Sequence, residues 1–230
     1  MRSTHKLRET NTLRDTQYLC TVVGMTDSLD TTPRRRRRDQ QRDETRRDLA
    51  LTAFRIATSR GLANVRVPEI AAAAGVSPRT FNNYFHSKEE AIVWPAAQHA
   101  ASMASLLRDR PAGEPLGDAL VAAVVALYGP EAGQELPADW LGDFRDLVAA
   151  EPSLHGEYLR AASTAERALA DAVAERMGAP AGQLRARVVA GMVVGAERAA
   201  VMHWMQTRDG SLADTVRTAV LQATASLGDA

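Results

Sequence analysis

From residue 41 onward, apolar residues recur at every third or fourth position, the spacing of helices with one buried face. Residues 1–40 are polar and show no such period. In the first periodic stretch Leu49, Ala53, Ile56 and Ala57 share a face with Phe54 beside it, which predicts a helix over about 41–60 with Gly61 just past its end. Pro68, of a type favoured at the first helical position, opens a second helix over 68–74 that Gly75 breaks. Ser77 and Pro78 cap and open a short third helix over 78–84. Ser87 caps a fourth, whose Glu89 and Glu90 suit the positive helix end, and which runs to about residue 108 with Pro95 near its start or at a kink. "PLGDALVAAVVALYG" and "PADWLGDFRDLVAAE" give a fifth and a sixth. Three more cover about 153–177, 182–206 and 212–227, with Pro or Gly in nearly every gap. Nothing reads as a strand. The expected fold is all-α, with about nine helices.

The second and third helices, joined by a three-residue turn with a glycine, form a helix-turn-helix. Ala71 is small where the two helices cross, and Gly75, four residues on, stands where the turn needs an unusual backbone angle. Ile70, Ala74, Val76 and Phe81 supply the shared apolar face, which turns Arg79, Thr80, Asn82, Asn83 and Tyr84 outward beside Ser77. Arginine and asparagine read guanine and adenine edges in the major groove. Lys88, in the first turn of the fourth helix, is placed for a phosphate together with that helix's backbone N–H groups. A polar face without a partner is the alternative; the turn, the Ser-Pro start and the charge together favour double-stranded DNA.

Charge changes the picture because it is unevenly spread. The whole chain of 230 residues is formally neutral, yet residues 1–90 hold 17 Lys+Arg against 11 Asp+Glu, and the remainder holds 11 against 17. A basic first segment suits a polyanion. Its densest part is the run Arg34, Arg35, Arg36, Arg37 and Arg38, read as part of a disordered basic arm over 1–40 that enters the minor groove or tracks phosphates, or else serves only solubility. Met25 is the expected start of the native protein. The single cysteine, Cys20, excludes an intrachain disulfide, no apolar run reaches membrane-spanning length, and the N-terminus does not read as a signal peptide. The expected location is the cytoplasm.

The stretch "RRDLALTAFRIATSRGLANVRVPEIAAAAGVSPRTFNNYFHSKEEAI" resembles the DNA-binding domain of the TetR family of bacterial transcriptional regulators, through its Ala-Gly-Val-Ser, aromatic-x-x-Tyr-Phe and Ser-Lys-Glu-Glu segments. The resemblance implies DNA contacts from Arg79, Thr80, Asn82, Tyr84, Lys88 and Arg66. Many members carry Thr-Thr where this chain has Val65-Arg66, and Tyr followed by His or Arg at the positions of Asn82 and Tyr84, so base preference does not transfer. "FRDLVAAEPSLHGEYLRAASTAERALADAVAERMG" resembles the C-terminal domain of the subgroup that includes the regulator of mycofactocin clusters, which implies an acyl-CoA-like effector. The family pattern is repression of a palindromic operator, released by a small molecule.

The domain boundaries expected are therefore 1–40 for the arm, 41–87 for the helix-turn-helix domain, and 88–230 for effector binding and dimerisation. Trp94, Met103, Tyr128, Trp140, Phe144 and Met192 are candidate pocket residues, with ordinary core packing as the alternative; Arg145, Arg160 and Arg167 are candidate partners for acyl-CoA phosphates. Gly191, Gly195, Ala199 and Met202 on the eighth helix are candidate homodimer contacts, in a four-helix bundle that would set two recognition helices one DNA turn apart, about 34–36 Å. No phosphate loop, nucleotide-binding glycine fingerprint or supported catalytic triad occurs, and His86, His99, His155 and His203 lack metal-ligand spacing. No cofactor and no enzymatic activity are expected. An activator of the same family, or a nonspecific DNA-binding protein, are the competing readings.

Overall fold

The computed structural model describes residues 33–129 and 140–227, the side chains of 33–36 and Ser226 excepted. Cys20, Met25 and the first residues of the predicted sixth helix lie outside the described residues. The chain divides into two compact units, residues 1–43 and 44–230. Among the described residues every regular element is helical: α1 (Pro33–Arg60), α2 (Val67–Ala73), α3 (Pro78–Asn82), α4 (Lys88–Arg108), α5 (Leu116–Ala126), α6 (Trp140–Ala150), α7 (Pro152–Arg176), α8 (Leu184–Thr207) and α9 (Leu212–Thr224), with single 3-10 turns at Leu62–Asn64 and Ala225–Leu227.

α1 starts eight residues before the predicted 41, so the arginine run is its first turns and not part of an extended arm. Proline suits a first helical position and arginine is among the better helix formers, so charge patterning misled where local propensity decided. α3 ends two residues earlier than predicted. Asn83 and Tyr84 donate their N–H groups to Thr80 and Phe81 in i→i+3 bonds, which tighten the chain into a turn. Pro95 lies inside α4, buried.

Two cores form. One joins α1, α2 and α3 (Leu49, Phe54, Ile70, Phe81, Phe85) to the start of α4 (Ile92), to α6 (Trp140, Phe144) and to the start of α7 (Leu154). The other fills the bundle of α5, the second halves of α4 and α7, α8 and α9, around Leu107, Leu120, Leu169, Val193 and Val220. α4 packs on α7, α7 on α8, α8 on α9, and α9 back on α5. The core under the helix-turn-helix thus reaches past the predicted boundary at residue 87, and α4 belongs to both cores.

Candidate functional site

The segment around α3 is built by local caps over an apolar floor. Gly75 takes φ +70°, which a side chain resists, and the turn closes with the Val76 N–H on the Ala71 carbonyl at 2.9 Å. Ser77 Oγ accepts the Thr80 N–H at 3.0 Å and lies 2.8 Å from the Thr80 hydroxyl. Ala71, Ile70 and Phe81 are fully buried, and Phe81 packs on Phe85 with ring centroids 5.6 Å apart. Arg79, Asn82 and Asn83 are exposed, and Tyr84 is half-buried against the same core. The outward set predicted from spacing is therefore assembled, with Ser77 and Thr80 also committed to each other.

Two further candidates have local duties. Arg66 is exposed, and its guanidinium donates to the Ala63 carbonyl at 2.7 Å. Lys88 Nζ donates to the Leu62 and Val65 carbonyls at 2.8 and 3.1 Å, which commits two of its three donors. Glu90 closes a reciprocal cap: its N–H donates to Ser87 Oγ at 3.0 Å and its carboxylate accepts the His86 N–H at 2.7 Å. Sequence reasoning missed Arg46. Its guanidinium sits 3.7 Å from Glu90 and over the rings of Phe85 and Trp94 at 5.2 and 5.6 Å, clamping α1 to α4. Arg37 and Arg38 are exposed in the first turns of α1.

Deeper along α4, the candidate pocket residues separate. Tyr128, Trp140 and Phe144 come together through His99, whose ring lies 5.3 Å from Tyr128 and 5.5 Å from Trp140. Phe144 continues the layer to Trp140 at 6.4 Å, to Tyr158 at 5.6 Å and to Phe54 of α1 at 6.5 Å. The Tyr128 hydroxyl donates to the Glu197 carboxyl of α8. Burial pushes the Glu197 carboxyl above the usual range, against the Tyr128 hydrogen bond and the field of Arg198. Burial and then Glu197 raise the Tyr128 and Tyr158 hydroxyls, and burial lowers His99. Three residues do not join this layer. Trp94 packs on Phe85 and Arg46, Met103 is buried in the bundle core, and Met192 is 39% exposed on α8. Glu197, Tyr158 and His99 were missed as pocket residues; a lone acid on a small-residue helix gives no periodic signal of the tyrosine that will cover it.

Residues 51–91 match the family model described as "Bacterial regulatory proteins, tetR family", and residues 114–228, half of the chain, match "MftR C-terminal domain". The chain belongs to the TetR family. It is 34% identical to the HTH-type transcriptional regulator TcmR of Streptomyces glaucescens over 61% of this chain and 64% of that one, just under two thirds of the relative's length. It is 26% identical to the protein of Mycobacterium tuberculosis described as the mycofactocin biosynthesis transcriptional regulator MftR, over 81% and 93% of the two chains. A TetR-family transcriptional regulator from Streptomyces coelicolor shares the fold, with a TM-score of 0.52 at 18% identity over 80% of each chain.

TetR regulators bind DNA operators and small effectors and are dimeric, which directs attention to the uncovered faces of α8. Leu184, Val188, Met192 and Met202 are 75, 49, 39 and 39% exposed along it, with half-buried Gly195 and exposed Ala199 in the same stripe. A Cβ on Gly195 would meet nothing within 4 Å, whereas one on Gly191 would lie 3.5 Å from the Glu166 carboxylate of α7. Gly191 thus turns toward its own chain, and Met192 takes the outward place assigned to Gly191. Adjacent helical residues sit about 100° apart, so an error of one position carries a residue off the outward stripe. Among the described residues no helix is long and apolar enough to cross a membrane.

Proposed function

We propose that this TetR-family regulator is a homodimeric repressor, not an enzyme, that holds a palindromic operator and releases it when a small hydrophobic effector enters the aromatic layer. The observation that carries the reading is the exposed set Arg79, Asn82 and Asn83 on and just after the capped five-residue α3, over the fully buried Phe81. Arg79 and the two asparagines read base edges, Tyr84 and the remaining Lys88 donor take phosphates, and Arg37 and Arg38 add helical positive charge upstream. Gly195, Ala199, Met202 and Met192 line the dimer contact with α9.

Release needs an effector that favours one dimer geometry over another. α4 is the lever, because it carries Lys88 and Glu90 at one end and His99 within the aromatic layer. Arg46 holds its first turns to α1. The acyl-CoA-like effector implied by the subgroup would need cations for its phosphates. Arg145 lies beside Asp146 at 3.0 Å, Arg160 pairs with Glu157, and Arg167 donates to Thr164 at 3.3 Å.

The test is binding of the purified full chain to its own upstream DNA against random DNA at one fixed salt concentration, repeated with a long-chain acyl-CoA. Preference for the upstream DNA, in the range of about 10³-fold or more, is expected. Equal affinity for both DNAs would leave a nonspecific binder.

A further inference from the structure

Resting on the operator reading above, we infer that Arg46 is a positioning residue for DNA recognition: the plane of its guanidinium, laid over the Phe85 and Trp94 rings, fixes the recognition segment against α4. One half-buried side chain of α1 meets both elements. Its guanidinium carbon lies 5.2 Å from the Phe85 ring and 5.6 Å from the Trp94 ring, and those two rings meet edge to face at 6.4 Å. Phe85 in turn packs on Phe81, the floor of α3, at 5.6 Å. One oxygen of Glu90 lies 3.7 Å from the same guanidinium, and the other accepts the His86 N–H. Arg46 Nε is buried and has no hydrogen-bond partner, so ring faces and the field of Glu90 hold this part of the group.

The segment that Arg46 grips needs an outside hold. Residues 83–87, between α3 and α4, form no regular helix. Beyond them, Pro95 inside α4 has no N–H for the Ala91 carbonyl, which removes one rung between the first two turns of α4 and the rest of the helix. Lys88 ties the start of α4 to the Leu62 and Val65 carbonyls, past the end of α1. Arg46 stands about 20 Å back along α1 from its last residue, Arg60. Two grips that far apart set a direction, whereas one alone leaves a pivot. Lysine replaces arginine as a charge but not as a plane, because an ammonium has no flat face to lay over two rings. A phosphate contact makes the opposite demand, since lysine also binds phosphate as a point charge.

The experiment compares the full-length native chain with Arg46→Lys, Trp94→Leu and the double variant, at a temperature where thermal melts show all four folded. Amide hydrogen exchange read by mass spectrometry reports the grip without DNA. Titration with the chain's upstream DNA against random DNA reports recognition. Expected in Arg46→Lys is exchange at least about fivefold faster over residues 78–94, with α8 and α9 unchanged. Affinity for the upstream DNA should fall by about tenfold in the same variant. In the Trp94→Leu background, Arg46→Lys should cost less than about threefold further, because a ring it needs is already gone. Native exchange rates in Arg46→Lys, faster exchange spread equally into α8 and α9, or native affinity for the upstream DNA overturns the proposal. Full additivity of the two substitutions also overturns it. If the native chain binds both DNAs alike, the regulator reading falls, and exchange over residues 78–94 still supports or overturns the grip.

Discussion

The two stretches of α4 treat polar side chains in opposite ways. Around its N-terminus the polar groups are outside: Arg79, Asn82 and Asn83 stand over a floor of Phe81 and Phe85, and the caps of Ser77, Ser87 and Glu90 are satisfied within a few residues. Around His99 they are inside, and the partners come from far along the chain: Tyr128 meets Glu197 across 69 positions. A polyanion is met by a rigid exposed display whose bases are read from outside. A small molecule is met by a few polar atoms buried among rings. The first arrangement rests on packing beneath it, the second on polar satisfaction within it, so the two should fail differently.

The sharpest way to break the first is Phe81→Ala. Phe81 is fully buried and touches Phe85, so its loss leaves a cavity worth about 3–5 kcal/mol. That is a large part of a typical domain's stability. Chemical denaturation should show the loss, and operator binding should fall with it although Phe81 faces no DNA. If Phe81→Ala melted like the native chain, the floor would not hold up the display.

The exposed end was legible in the sequence because its signals are local. Ser77-Pro78, Gly75 and Ser87-x-x-Glu90 each specify a cap or turn within four residues, and the structure forms all of them. The buried end was half legible. Tyr128, Trp140 and Phe144 were picked as aromatic, but His99, Tyr158 and Glu197 complete the layer through packing of α4, α5, α6, α7 and α8 that no periodicity encodes. Lys88 shows the same limit: its carbonyl partners lie 26 and 23 residues away. On α8, spacing found the small residues but not their azimuth, hence the exchange of Gly191 and Met192. The arginine run was misread because like charges suggest disorder, while the residue type itself favours a helix.

A middle-sized effect separates cap from display on one short helix. Ser77→Ala removes the acceptor of the Thr80 N–H and should destabilise the domain by about 1 kcal/mol. Asn82→Ala, five residues on and exposed, should change stability by no more than about 0.5 kcal/mol while weakening operator binding. Denaturation and DNA titration on the pair check this. Equal stability losses would mean Asn82 is part of the scaffold.

The smallest effect belongs to the buried end and is read through pH. Glu197 has its carboxyl raised in the folded state, chiefly by burial, so the folded chain holds that proton more tightly than the unfolded chain does. Its contribution to stability is complete below the ordinary carboxyl value and is lost as pH rises through the raised folded value. His99 runs the other way: burial lowers it, so its contribution is present above the ordinary imidazole value and is lost as pH falls through the lowered folded value. Comparing native protein with Glu197→Gln at each pH cancels the His99 term. The variant should gain stability relative to the native chain as pH rises across the Glu197 window, then run parallel to it. The gain is modest because the Tyr128 hydrogen bond and Arg198 already oppose burial at this carboxyl. A difference that stayed flat with pH would mean Glu197 titrates as a solvated acid, and the contrast between the two ends of α4 would then rest on aromatic packing alone.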